Sequence, residues 1–483
     1  VTLQLLLAQA GDGRPVIEMP LPLESLWEAP LPVPLPKPTH LYNLSADPNS
    51  LEEQRWALVV PDNERGRRLE AILSPLCKRR AEEQRRSVDI YRAPPGMNEK
   101  EARKFLADTM YPTSRSSREH ASYVLLAGTP EDLSMELQEE LTGEGVTLVG
   151  RLPFEREDDY AAYVEKVLTR ERDAARPQQA RAVFLTAQDM SPPVLSGHRF
   201  VVAPAAQRCS EARDKGYFPA SSLTVEQLPA GAKEKLLELV RAPEPGLLFT
   251  LSHGVGAPTS GWVSPEAQRR EQGNMWFGQG TALTADEVRQ KEFLPGGIWF
   301  YFACFGAGTP TRSVFRPWME QLVQTSVMSQ WVLERVDRSR PLDARPFIAA
   351  LPQAALANPK GPLAVIGHLD MAWICAFHNP RNGETHTHRL EDVLTTMVEG
   401  SRVGLALHSL SRFASKADRE LRKYHQETAA AGSSGQSLSG EIDEEQAKER
   451  TTERAHLWME RHDLTSYTLL GDPAVRLVDR LSR

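Results

Sequence analysis

Six short apolar runs, each closed by a polar or glycine-containing turn, constrain the fold of this 483-residue chain more than any other feature. WALVVPDNERGRRLEAILSPL (56–76) reads as a buried strand, a polar turn and an amphipathic helix, and SYVLLAGTPEDLSMELQEEL (122–141) repeats that order. RAVFLTAQDM (181–190) opens a third unit, with a less clear helix after it. GLLFTLSHG (246–254), GGIWFYFACFGAG (296–308) and GPLAVIGHLDMAW (361–373) continue the series. Helical patterns lie between them, as in RSVFRPWMEQLVQTSVMSQWVLERV (312–336) and RPFIAALPQAALAN (345–358). Continuous Val/Leu/Ile runs alternating with helices indicate a mainly parallel α/β sheet covered on both faces. Ligands of such sheets sit beyond the carboxyl ends of the strands.

Composition narrows the class. The length suits roughly three domains, or two large ones. Hydrophobic residues at 41% and charged residues at 25% are globular values. A net charge of -7 argues against nucleic acid as a partner, because gripping phosphates takes concentrated Lys and Arg. The cluster CKRRAEEQRR (77–86) interleaves acids and reads as a solvated helix face. The four cysteines, Cys77, Cys209, Cys304 and Cys375, form no CxxC pair. That disfavours a zinc site or a disulfide framework and suits a reducing, cytoplasmic setting. No apolar run approaches the roughly 18 residues of a membrane helix, so no membrane partner is expected. The opening VTLQLLLAQAGDG has a short apolar run without a basic leader. An exported form stays open as an alternative.

Five segments follow. Residues 1–50 form a proline-rich arm, with prolines at 30, 32, 34, 36 and 38 that forbid helix and favour an extended course over a domain surface. Residues 51–178 form a first α/β subdomain, with a polar connector at LTRERDAARPQQAR (168–181). Residues 179–410 form a second, chemistry-bearing subdomain. Residues 411–462 are charged helices interrupted by AAAGSSGQSLSGEIDEE (429–445), a flexible insert by composition. Residues 463–483 add a strand, a Gly-Asp-Pro turn and a second short strand that complete the second subdomain.

Two strand ends carry nucleophilic chemistry. His253 and Gly254 close one run, and Cys304 closes the next, 51 residues later. A thiol with a pKa of about 8.5 is mostly protonated at neutral pH, so a neighbouring imidazole that takes the proton activates it. The same imidazole can protonate a leaving amine. The tetrahedral oxyanion needs backbone donors, for which the amides of Gly254 and Cys304 are the candidates. Glycine after the histidine lets the backbone approach closely. Taken singly, Cys304 would be an inert core thiol and His253 a structural histidine. Their order and their two strand ends argue otherwise.

LLFTLSHG followed by FYFACFGAG resembles the caspase-like cysteine peptidases: caspases, gingipains, clostripain and the CHAT proteins. LLGDPAVRL and LAVIGHLDMAW resemble the close and the pocket strand of gingipain-type catalytic domains. The likeness spans roughly 180 to 479 and, more weakly, the units before it. ACFGAG departs from the caspase QACRG pattern. The resemblance implies a caspase–hemoglobinase fold with two gingipain-like α/β subdomains, and a His253–Cys304 dyad acting on protein or peptide substrates. It also implies cleavage after Arg or Lys, with Asp189 or Asp370 in the primary pocket and Trp373 as a pocket wall. A turn or capping role for either aspartate, and core packing for Trp373, stand equally open.

No cofactor is required by this chemistry. Some relatives use calcium, and no acidic loop here compels it. His378, His386 and His388 in HNPRNGETHTH lack a completing acid or thiol and read as a polar loop, so no metal is expected. The insert suggests processing by an activating protease within 415–450, near Lys416, Arg419, Arg422 and Lys423. CHAT-type relatives act in bacterial defence cascades, some CRISPR-associated, which is an analogy only. The rival expectations are a catalytically silent binding module and an exported gingipain-like protease.

Overall fold

The computed structural model describes residues 2–30, 46–116, 119–143, 147–173, 179–379, 381–434 and 444–480. Ten strands form one central sheet: β1 (Trp56–Pro61), β2 (Asp89–Ala93), β3 (Tyr123–Ala127), β4 (Leu148–Leu152), β5 (Arg181–Ala187), β6 (Leu223–Leu228), β7 (Gly246–Leu251), β8 (Ile298–Phe302), β9 (Ala364–His368) and β10 (Tyr467–Gly471). Their order is β2-β1-β3-β4-β10-β9-β8-β7-β5-β6. Every neighbouring pair is parallel except β9–β10, which is antiparallel. Two five-stranded parallel halves of opposite direction therefore fuse along β10. Every residue of β1, β3, β4, β5, β7, β8, β9 and β10 is buried, as strands covered by helices on both faces must be.

The six runs singled out from the sequence are six of these strands, and the mainly parallel α/β expectation holds. The closing strand does more than complete the second half. It pairs with β9 over Tyr467–Gly471 and meets β4 at Leu470↔Arg151, so it welds the two halves. Of the second short strand expected after the Gly-Asp-Pro turn, a single bridge, Arg402↔Arg476, is present. Asp472 is a turn residue, accepting from Ala474 N, but it is also fully buried and accepts from Trp56 Nε1 (2.9 Å) and Arg80 Nε (2.9 Å). Arg80 also donates to Glu171. The cluster 77–86 is thus not simply a solvated face: Arg80 is fully buried and ties the first half to the chain's last strand.

Other expectations shift in detail. Residues 168–172 of the presumed connector finish the helix Glu157–Arg172, and 174–178 lie outside the described residues. The single helix expected over 312–336 is two, Arg316–Gln324 and Gln330–Asp337. Ser326 at φ 62 breaks them apart in the polar TSVMS stretch. Phe347 and Ile348 are not helical: they pair with Gly308–Thr309. The charged helices are Val403–Ser434 and Glu444–Thr465. One face of each is core, including Leu410, Ala414, Leu421, Trp458 and Met459. Residues 435–443 of the insert lie outside the described residues. Lys416, Arg419, Arg422 and Lys423 all sit in helix. Among the described residues no helix is long and apolar enough to cross a membrane.

Of the arm, residues 31–45 lie outside the described residues. Its earlier part runs inward. Leu3, Leu5, Leu6 and Leu7 are buried, and further along Leu26 is buried and Ser25 O accepts from Trp318 Nε1 (2.7 Å). The apolar run at the start of the sequence is therefore a strand against the carboxyl ends of the second half, where the site lies.

Candidate active site

Four adjacent parallel strands, in the order β9-β8-β7-β5, place their carboxyl ends side by side. Past those ends stand Asp370 and Trp373, then Cys304, then His253 and Gly254, then Asp189. The topology thus gathers every site residue expected from the sequence along one edge. Beyond β7 and β8 the ladder continues through Ser252 N to Phe302 O (3.2 Å). This holds the two chemistry-bearing turns together. A Cβ on Gly254 would meet Cys304 O at 1.8 Å, so only glycine allows the approach. Phe305, directly after the cysteine, has φ 56 in the left-handed region, a strain of about 1–3 kcal/mol for a non-glycine residue. Asp370 O accepts from Phe305 N (2.9 Å) and His368 O from Ala307 N (2.9 Å), which pins that turn to the end of β9.

The two amides proposed as oxyanion donors converge. Gly254 N (3.1 Å) and Cys304 N (3.4 Å) both donate to one oxygen, the carbonyl of Leu6. The peptide around it adds to the site as a strand. Leu6 N donates to Ala372 O (3.3 Å), Leu5 bridges Trp373 in antiparallel sense, and Leu7–Gln9 pairs in parallel with Gly254–Gly256. Covered in this way, His253 and Cys304 are fully buried.

Asp189 and Ser191 orient the histidine. His253 Nε2 lies 2.8 Å from Ser191 Oγ and 3.5 Å from Asp189 Oδ2. Ser191 Oγ donates to Asp189 Oδ1 (2.6 Å), so the serine oxygen accepts from Nε2–H. Nε2 then carries the ring proton, and Nδ1, which has no hydrogen-bond partner among the described residues, is the basic nitrogen. Burial holds the ring below its ordinary pKa, against the opposing pull of Asp189 and the Leu6 carbonyl. A neutral imidazole at neutral pH is the form that can take a thiol proton. Ser191 was missed in the sequence; the Asp-x-Ser after a strand end was its only signal.

Cys304 Sγ accepts from Ala372 N (3.1 Å). Burial pushes its pKa well above the ordinary thiol value, Asp370 and Asp463 add to the rise, and the Ala372 and Leu6 backbones oppose it. The other cysteines are buried too, and burial pushes Cys77 up to about 12.

Asp370 is a positioning group here. Its carboxylate accepts from Met371 N (2.7 Å) and Val314 N (2.9 Å), and burial raises its pKa. The Trp373 ring packs edge-on to Trp318 (5.5 Å) and Phe315 (5.8 Å), in the core, while its backbone lines the cleft. Asp463 is a further acid that the sequence did not single out. It accepts from Trp373 N (2.9 Å) and lies 3.3 Å from His368 Nε2. His378 stacks on Phe200 (4.1 Å), and His386 and His388 are edge-to-face at 6.0 Å.

No protein-family model and no curated protein matches the chain. Among solved structures it is similar to the Arg-specific cysteine proteinase gingipain R, with 12% identity and a TM-score of 0.51 over 89% of this chain and 79% of that one. It is also similar to the complex of Porphyromonas gingivalis RgpB pro- and mature domains, with 12% identity, a TM-score of 0.48 and coverage of 88% and 80%. A structure described as a protease is similar at 13% identity, a TM-score of 0.49 and coverage of 87% and 78%. The chain has the gingipain-type, caspase-like fold that the His-Gly and Ala-Cys strand ends suggested.

Proposed function

We propose that this chain is a cysteine endopeptidase. The convergence of the Gly254 and Cys304 amides on a single peptide carbonyl, beside the Cys304 thiol and an oriented His253, is the observation that carries this reading. His253 Nδ1 takes the thiol proton, and Sγ attacks the carbonyl carbon to form the C–S bond. The negative charge moves to the oxygen held by the two N–H donors. Collapse breaks the C–N bond, and the imidazolium gives its proton to the leaving amine. Water then attacks the thioester, gives a proton to His253 and releases the acid and the thiol. Asp189 and Ser191 hold the imidazole tautomer throughout.

Cleavage after Arg or Lys was the expectation from resemblance, and it calls for a carboxylate facing the substrate side chain. Asp189 is committed to Ser191 and His253, and Asp370 to two backbone amides. Geometry therefore supports the peptidase reading more than the basic preference. Processing within 415–450 belongs to the same reading, although Lys416, Arg419, Arg422 and Lys423 sit in helix, where a protease finds no extended chain.

One observation favours the rival, a silent binding module: the thiol is fully buried, and burial pushes its pKa up. Digestion of a diverse peptide mixture by the full chain and by Cys304→Ala separates the two. New termini made by the wild type and lost in the variant support the peptidase. A wild type that makes none, even with its cleft opened, is the silent module.

A further inference from the structure

We infer that the cleft is a strand-addition site for extended aliphatic peptides, that its acyl position takes leucine, and that residues 4–9 of this chain occupy it as a resident pseudosubstrate. The inference rests on the peptidase reading above. Only the carbonyl under attack sits between both oxyanion donors, and in this chain that carbonyl belongs to Leu6. The backbone is clamped on both sides of the Leu6–Leu7 bond: Leu5 and Leu6 against Ala372–Trp373, and Leu7–Gln9 against Gly254–Gly256. This is peptide recognition by β-augmentation, with main-chain hydrogen bonds for affinity and side-chain pockets for choice.

The side chains name the choice. Leu6 and Leu7 are 0% exposed and Leu5 3%, all within the main apolar core. An Arg or Lys at position 6 would need an ionised partner. Asp189 and Asp370 are committed elsewhere, and Asp463, the third acid near the thiol, is turned to Trp373 N and the His368 ring. The resident bond survives for a geometric reason. Leu7–Gln9 is the first arm of a hairpin, with Val16 N donating to Leu7 O (2.9 Å), Gln9 N to Arg14 O (2.9 Å) and Ala8 paired with Pro15. An amine released at Leu7 stays in place and closes the thioester again.

The test uses the full chain and Leu6→Arg. Iodoacetamide labelling with mass mapping reads exposure of Cys304, and fluorogenic peptides with Leu, Arg, Lys or Asp before the scissile bond read the pocket. We expect Leu6→Arg to release the strand. Cys304 labelling then rises at least about tenfold, and Leu peptides are cut at least about tenfold faster than Arg or Lys peptides. On the unaltered chain, peptidyl chloromethyl ketones ending in Leu or Arg provide a second measurement free of folding effects. Sγ displaces chloride, and the Leu reagent should modify Cys304 faster. Preference for Arg in either assay, or cleavage of the Leu6→Arg chain after its own residue 6, overturns the proposal and leaves the peptidase standing. Equal Cys304 labelling in both chains also overturns it. Fast labelling in Leu6→Arg with no cleavage of any peptide defeats the peptidase reading itself, and the proposal with it.

Discussion

The two halves of the sheet use one construction and reach opposite ends. Both are five parallel strands, four of them buried and one, β2 or β6, a part-exposed edge. In the half built on β1–β4, buried polar groups are spent on holding the chain together. Arg151, fully buried, donates to Gln138 Oε1 and to the carbonyls of Gly128, Leu133 and Ser134. Arg80 is met by Asp472 and Glu171. In the half built on β5–β9, His253 keeps a buried nitrogen unpartnered among the described residues, and Phe305 is strained. The lesson is about satisfaction. Where buried polar groups are matched, removing one costs stability. Where one is left open beside a nucleophile, removing it costs chemistry.

Substitutions can break that comparison. The largest effect is expected from Cys304→Ala or His253→Ala, each lowering turnover of cleaved peptides by at least about 10³-fold, with the double variant no worse, since the pair acts as a unit. Their urea midpoints should stay near the wild type. Asp472→Ala reverses the pattern. Leaving Trp56 Nε1 unmatched and Arg80 with Glu171 but without its buried Asp472 partner should cost about 3–5 kcal/mol in urea unfolding, with the site chemistry kept in whatever fraction is folded.

A smaller effect sharpens the account within the site. Asp189 raises the His253 pKa against the lowering by burial. The ring works as a base when neutral, so activity falls as pH drops through its pKa. Asp189→Asn should move that acid limb of kcat/KM to lower pH, by about half to one unit, and cut kcat about tenfold through lost orientation. Ser191→Ala should cut kcat similarly and leave the limb near its place. The smallest effect is that of Trp56→Phe, which deletes one donor to Asp472. It should cost about 1–2 kcal/mol and leave the pH profile unchanged.

Much of this was legible because local and global signals agree. The apolar runs are the strands, and two parallel neighbours ending in His-Gly and Ala-Cys must bring those ends together. What could not be read depends on contacts between distant segments. Nothing in QLLLAQA says that Leu6 will rest on the amides of Gly254 and Cys304, because an aliphatic run suits any apolar groove. The basic residues of 77–86 look alike in sequence, yet one of them, Arg80, is buried against Asp472 in the turn after the last strand. Asp189 was singled out, but its direction was not: a strand-end carboxylate can face substrate or histidine, and Ser191 decides the matter. The break at Ser326 escaped because polar residues in an amphipathic pattern are compatible with a continuing helix.

In the proposed reaction Cys304 becomes acylated. Acid quenching of the full chain or its Leu6→Arg form during turnover of an activated peptide ester, followed by peptide mapping, tests it directly. A thioester of the acyl fragment on Cys304, lost in His253→Ala, is the expected result. Turnover with no adduct on Cys304, or an adduct that forms equally well without His253, would contradict it.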